Sequence, residues 1–211
     1  MRTASRFDES AAQWDASPAR VELARAVGAA IARAVPLQPD WRAVDYGAGT
    51  GLLTLNLQPR VGSVVALDSS RGMLEQLGKQ LEAAGINNVR TSFWNLEEQP
   101  FPEAGFDLAV SSMTMHHLRD VPLVLRRLAA LLKPGGWLAA ADLETEDGSF
   151  HGERDDVFHH GFEHRKIADW LEAAGFTLVS VKSIHSISKP MSSGGTRAYG
   201  VFLAVGQKER A

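Results

Sequence analysis

The chain has 211 residues, with 22 Lys and Arg against 25 Asp and Glu, a formal net charge of −3, and 45% hydrophobic and 22% charged residues. That is the balance of an ordinary soluble globular protein, long enough to bury a core without disulfides or a structural metal. No cysteine is present, which excludes a disulfide framework, a cysteine zinc site, an iron–sulfur cluster and a thiol nucleophile.

A chain that is slightly acidic overall lacks the basic footprint of a nucleic-acid binder. No apolar run approaches the roughly 20 residues that span a bilayer. Met1–Ser10 is mixed in charge and has no signal-peptide core. The expectation is a cytoplasmic protein with neither a membrane nor a nucleic acid as partner.

The first predicted element is a helix from Pro18 to about Val35. Ser17 can cap it, Pro18 suits its first position, and Val21, Leu23, Ala24, Val27, Ile31 and Ala34 form an apolar stripe at helical spacing. After the break at Pro36–Pro39, strand and helix patterns alternate. Strands are predicted at Trp41–Tyr46, Ser63–Asp68, Val89–Trp94, Phe106–Ser112 and Trp137–Asp142. Between them lie a short helix from Thr50 and longer ones at Arg71–Ala84 and Val121–Leu132. Lys133-Pro134-Gly135-Gly136 reads as a turn into the fifth strand. A helix over Arg165–Ala174 stops at Gly175. Two β-rich runs follow, Phe176–Ile184 and Ala198–Val205, separated by the turn signal Ser192-Ser193-Gly194-Gly195. Runs such as Val64-Val65-Ala66-Leu67 are apolar throughout, as strands covered on both faces are. The prediction is an α/β, doubly wound Rossmann-like sheet of seven strands, mostly parallel with an antiparallel last strand.

In such sheets ligands bind beyond the C-terminal strand ends, where strand order reverses. The first predicted strand runs into Asp45-Tyr46-Gly47-Ala48-Gly49-Thr50-Gly51-Leu52. Alternating glycines let the backbone turn and approach a ligand, and the helix that follows presents free N–H groups. A dinucleotide loop of the G-x-G-x-x-G type would need glycine where Leu52 stands. Asp45, just before the first glycine, repels a pyrophosphate and suits a cationic ligand. Asp68 ends the second strand, 21 positions after Gly47, where an acid can take ribose hydroxyls. A nucleoside with free ribose hydroxyls, a positive charge and no phosphate satisfies both acids. S-adenosylmethionine fits that description.

Asp45-x-Gly47-x-Gly49-x-Gly51, followed by Val65-Ala66-Leu67-Asp68-Ser69-Ser70-x-x-Met73-Leu74, resembles the first two motifs of class I S-adenosylmethionine-dependent methyltransferases. Phe106–Ser112, His116-His117-Leu118 and Leu131-Leu132-Lys133-Pro134-Gly135-Gly136 are similar to later ones. The resemblance is to the small-molecule branch that includes ubiquinone- and menaquinone-biosynthesis-type enzymes with a type 11 methyltransferase domain. It runs in detail from about Arg42 to Asp142. It implies that Asp45, Tyr46, Ala48 and the backbone of Gly47, Gly49 and Gly51 hold the methionine part. Asp68 would bind the ribose, Ser69 and Met73 would flank the adenine, and Ser111 would stand at the end of the fourth strand beside them. Where the family usually carries an acid for the adenine amino group, this chain has Asn95, with Leu96 supplying the adjoining N–H. One domain is implied over 1–211. Residues 1–36 form a helical cap segment, 41–142 the cofactor core, and 143–211 an acceptor-side loop, helix and strand pair.

Histidines carry the open chemistry. His116 and His117 follow the fourth strand, and His151, His159 and His160 follow the fifth, so both groups reach the ligand edge of the predicted sheet. An imidazole suits proton removal near neutral pH. His160, in a glycine-containing loop, is the first candidate base and His117 the second. Convergence of two or three histidines, with Asp142 or Glu144, would instead make a metal site; none is assigned from the sequence. Trp14, in Phe7–Asp15, can pack over cofactor or acceptor. The implied activity is methyl transfer from S-adenosylmethionine to a small-molecule acceptor, leaving S-adenosylhomocysteine. Alternatives are a protein or nucleic-acid methyltransferase and a non-catalytic S-adenosylmethionine-binding protein. Ser111-Ser112-Met113-Thr114 lacks the acid/amide-Pro-Pro-aromatic motif of amino-group DNA enzymes, and retention of every glycine favours an enzyme.

Overall fold

The computed structural model describes residues 6–190 and 195–210. Seven strands form one sheet: β1 (Arg42–Tyr46), β2 (Ser63–Asp68), β3 (Val89–Phe93), β4 (Phe106–Ser112), β5 (Leu132–Leu143), β6 (Phe176–Pro190) and β7 (Thr196–Lys208). Their spatial order is β3-β2-β1-β4-β5-β7-β6. The first five run parallel, and β7 lies antiparallel between β5 and β6. The expected antiparallel last strand is therefore present, seated inside the sheet rather than at its edge.

Helices cover both faces. Successive strand residues point to opposite sides, so Ala43, Val64, Leu108 and Ala139 pack toward α2 (Pro18–Ala34) and α3 (Leu52–Leu57). Their neighbours Val44, Val65, Ala109 and Leu138 pack toward α5 (Val121–Leu131) and α6 (His164–Ala173). A smaller cluster seats α4 (Arg71–Ala83) through Leu77 and Leu81 on Ala48 and Ala66. Local chemistry sets the helix starts. Ser70 Oγ accepts the Met73 amide at 3.2 Å to cap α4, and Asp120 accepts the Leu123 amide at 2.8 Å to cap α5. Ser17 stands at the N-cap of α2 without a side-chain bond, so Pro18 carries that start alone.

Several boundaries differ from expectation. The first short helix begins at Leu52 rather than Thr50, because Gly51 sits at φ +89, outside the helical region. Lys133–Gly136 is a bulge within β5: Phe106 pairs with Leu132, and two residues later Leu108 pairs with Trp137. β6 and β7 extend well past the predicted runs, pairing as far as Pro190 and Thr196. Ser192, Ser193 and Gly194 of the predicted turn lie outside the described residues. Ahead of the sheet, α1 (Arg6–Ser10) and a 3₁₀ turn (Ala11–Ala16) lie across the strand ends. Among the described residues no helix is long and apolar enough to cross a membrane.

Candidate active site

Strand order reverses at β1, with β2 on one side and β4 on the other, so the loops leaving these strands splay apart and open a crevice. A cavity of about 460 Å³ occupies it, within the range of ligand sites. Its floor is the glycine loop after β1. Gly47 adopts φ +73, and a Cβ there would overlap the Thr114 side chain. Gly51 likewise leaves no room between the loop and Leu77.

Asp45, one residue before the end of β1, is 1% exposed yet lines the cavity. Thr54 Oγ1 donates to its Oδ2 at 2.6 Å. Burial pushes its pKa up to about 7, against the Thr54 hydroxyl and with the nearby Asp68 adding to the rise. Asp68 accepts the Gly49 amide on Oδ2 and the Ser70 amide on Oδ1, both at 2.8 Å. Burial raises its pKa, while the Gly49, Ser70 and Ser69 amides oppose the rise. One carboxylate thus fixes the glycine loop to the end of β2, and each oxygen keeps a lone pair for a ligand hydroxyl.

Tyr46, Gly47, Ala48, Gly49, Ser69, Met73 and Asn95 line the cavity as expected. Asn95 Oδ1 already accepts the Glu97 amide at 2.8 Å and the Tyr46 hydroxyl at 3.4 Å, so a further donor there competes with Tyr46. Three expected residues stand outside the lining. Leu96 is fully buried, its amide turned to the Tyr46 hydroxyl and its carbonyl to the Arg127 guanidinium. Ser111 donates to the Tyr46 carbonyl at 2.8 Å, so it clamps β4 to β1, and its neighbour Ser112 lines the cavity instead. Gly51 shapes the start of α3 from behind the lining.

The two histidine candidates separate. His160 is absent from the lining; its side chain is 55% exposed, 3.8 Å from Glu146. The loop after β5 turns it outward at Gly161, whose φ of +73 presses its Cα face against the Glu144 backbone. His117 lines the cavity. The Asp156 carbonyl can only accept a proton, so His117 Nδ1 donates to it and Nε2 keeps its lone pair. Burial, then the neighbouring His116, lowers the His117 pKa to about 4.

The N-terminal segment covers the cavity, with Phe7 and Trp14 in its lining. Its anchors were not legible in the sequence. Asp8 Oδ1 accepts Ser70 Oγ at 2.7 Å and the Gly72 amide at 2.8 Å, and Asp15 accepts Thr50 Oγ1 at 2.6 Å. Gly72 admits this approach because a Cβ there would stand 2.9 Å from the Asp8 backbone. Arg20 stacks 3.8 Å over the Trp14 ring and also lines the cavity. Thr114, Asp156 and Phe158, further lining residues, come from loops whose sequence has no periodicity to place them.

A family model described as a methyltransferase domain matches residues 19–181. The chain belongs to this family. The matched part of the methyltransferase domain runs from α2 into β6 and so contains the crevice apart from Phe7 and Trp14 of the N-terminal segment. The biotin biosynthesis bifunctional protein BioHC of Cellvibrio japonicus is 34% identical over 139 residues, 64% of this chain and 26% of that protein. The malonyl-[acyl-carrier protein] O-methyltransferase of Serratia marcescens is 32% identical over 133 residues, 63% of this chain and 49% of that one. The chain spans half or less of the length of the curated relatives it matches. The crystal structure of YcgJ from Bacillus subtilis superposes with a TM-score of 0.71 at 18% identity, covering 88% of this chain and 99% of that one. At that identity the likeness concerns the fold.

Proposed function

We propose that this methyltransferase domain transfers the methyl group of S-adenosylmethionine to a small-molecule acceptor, releasing S-adenosylhomocysteine. The observation that carries the reading is the pair of acids, buried Asp45 and half-buried Asp68, on either side of the glycine loop in one cavity. A buried carboxylate with a raised pKa fits a cationic amino acid group, and a carboxylate with free lone pairs fits ribose hydroxyls. A phosphate fits neither. When bound, the cofactor supplies a methyl group already activated by its sulfonium charge.

The chain's own residues then have modest tasks. Asp45 and Asp68 orient the cofactor, and Met73 packs beside it. Phe7, Trp14 and Phe158 keep water from the reacting atoms, and their aromatic faces favour a positive charge. His117 offers its Nε2 lone pair to an acceptor N–H or O–H. Its low pKa makes it a weak base, so it orients the acceptor and takes only a proton that is already acidic. A cavity roofed by the N-terminal segment favours a small acceptor over a folded macromolecule. Oxygen methylation, which the name of the Serratia marcescens relative states for that protein, is the first chemistry to test.

Titration calorimetry with S-adenosylhomocysteine and with NAD separates this reading from a dinucleotide enzyme. Binding of the first and none of the second is expected, and comparable affinity for NAD would overturn the assignment. Formation of S-adenosylhomocysteine from S-adenosylmethionine with a panel of small oxygen and nitrogen acceptors then separates an enzyme from a non-catalytic binder.

A further inference from the structure

Beside the cavity, two loops that are distant in sequence bring three imidazoles together. His116 and His117 lie on the single 3₁₀ turn after β4, and His151 lies on the loop after β5. One ring nitrogen of each falls within 4.8 Å of one from each of the others. His116 Nε2 and His151 Nε2 are 3.0 Å apart. Two imidazole nitrogens on one tetrahedral zinc, each about 2.0–2.1 Å from the ion, lie about 3.3 Å apart. We propose that His116, His117 and His151 together bind one divalent first-row transition ion of the zinc class.

The groups behind the histidines are those that prepare an imidazole for a metal. Asp142 Oδ1 lies 2.6 Å from His116 Nδ1, and the Asp156 carbonyl takes the proton of His117 Nδ1. Each oxygen acceptor fixes the ring and the tautomer and turns the Nε2 lone pair away from itself, as the outer partners of histidine ligands do. The loop after β5 is tied to the same turn, because the Phe158 amide donates to the His116 carbonyl at 2.9 Å.

The carboxylate behind His116 is itself held in place. Asp142 is completely buried and accepts the Leu143 amide at 2.7 Å and the His116 amide at 3.2 Å besides facing the His116 ring, so the ring's orientation is set by the backbone of two strands' ends. On the far side Arg154 lies 3.3 Å from His151 Nδ1 and is held by the Asp156 carboxylate, which keeps His151 over His116.

Three imidazoles without cysteine suit zinc, iron, cobalt or nickel and leave a coordination position for water or an acceptor's oxygen. His117 is the one of the three that lines the cavity; with an ion bound its Nε2 is a ligand, and an acceptor would meet the ion's open position in place of the imidazole. This inference does not depend on the methyl-transfer reading.

The test uses the whole protein, stripped with a chelator, dialysed and titrated with Co²⁺ while visible absorption is followed. Zn²⁺ competition then confirms a shared site. One equivalent of Co²⁺ is expected, with the intense bands of a four- or five-coordinate site. His151 is only half-buried, so His151→Ala should fold, and it should weaken Co²⁺ binding by more than about tenfold. Asp142→Asn should weaken it about 10- to 100-fold, provided its circular dichroism matches that of the parent. Absence of stoichiometric binding, or binding that His151→Ala leaves unchanged, overturns the proposal. S-adenosylhomocysteine affinity measured on the same samples reports the cofactor assignment separately, so the two readings fail independently.

Discussion

At the scale of single residues, Asp45 makes the sharpest statement. Its pKa near 7 belongs to a carboxylate that has lost water and gained only a hydroxyl in return. A folded-state value above the ordinary 3.8 means that Asp45 favours the fold fully below that pH, and that this contribution is lost as pH rises toward 7. A cationic ligand reverses the preference and expels the proton. Affinity for S-adenosylmethionine should therefore climb with pH up to about 7 and level off above it. Calorimetry at several pH values, in two buffers of different ionisation enthalpy, reads both the slope and the proton released. A flat profile would show that no cation meets Asp45, and Asp45→Asn should abolish the slope.

The histidine pair gives a second test at this scale. His160→Ala should retain turnover within about twofold, because its half-exposed ring faces Glu146 outside the cavity. His117→Ala should lower turnover at saturating acceptor by about tenfold or more with S-adenosylhomocysteine affinity nearly unchanged. The reverse order would restore His160 as the reacting residue. Both are histidines in glycine-bearing or polar loops, and nothing in their neighbours' side chains distinguishes them. Only the backbone turn at Gly161 and the position of the Asp156 carbonyl do so. Asp45 and Asp68 were legible for the opposite reason. Each stands at or one residue before the end of a strand, and a strand's end is fixed by its length.

At the scale of elements, the N-terminal segment is held to the core by two acids together with a small apolar contact at Ala11, Phe7 and Trp14. α1 contains no buried residue, and its place depends on Asp8 at the start of α4 and on Asp15 at the start of α3. Asp8→Ala removes two hydrogen bonds to a charged group, worth about 1.5–3 kcal/mol each before water compensates the freed donors. Hydrogen exchange in residues 6–16 should accelerate, and S-adenosylhomocysteine should dissociate several-fold faster, with the sheet amides unaffected. Protection unchanged from the parent would mean that other contacts hold the segment. The core helices were readable because burial leaves a period in the sequence. The strap left none, since a polar anchor needs only one residue at each end. β6 and β7 were read short for a related reason. Their outer halves alternate polar and half-exposed residues, so pairing between backbones, with no apolar run, extends them.

For the molecule as a whole, cofactor binding and stability are linked. A ligand at 100 times its dissociation constant adds about 2.7 kcal/mol to the folded state. For a chain of this size that corresponds to a rise in melting temperature of roughly 5–10 °C. S-adenosylhomocysteine should produce such a rise, and NAD should produce none at equal concentration. A shift with both would return the site to the dinucleotide class.

The placement of β7 between β5 and β6 bears on how the chain is assembled on the ribosome. Residues 196–208 emerge after every other strand, yet they form the inner partner on which β6 depends. Until they clear the exit tunnel, β5 presents a bare edge that includes Asp142, later paired with Phe202. β6 has no partner to pair with in that interval. The nascent chain therefore holds the glycine loop with Asp45 and Asp68 in a nearly finished half-sheet while its other half waits. A stop codon placed just before Thr196 would leave that half-sheet with an open, apolar flank, which is a substrate for chaperones rather than a smaller enzyme.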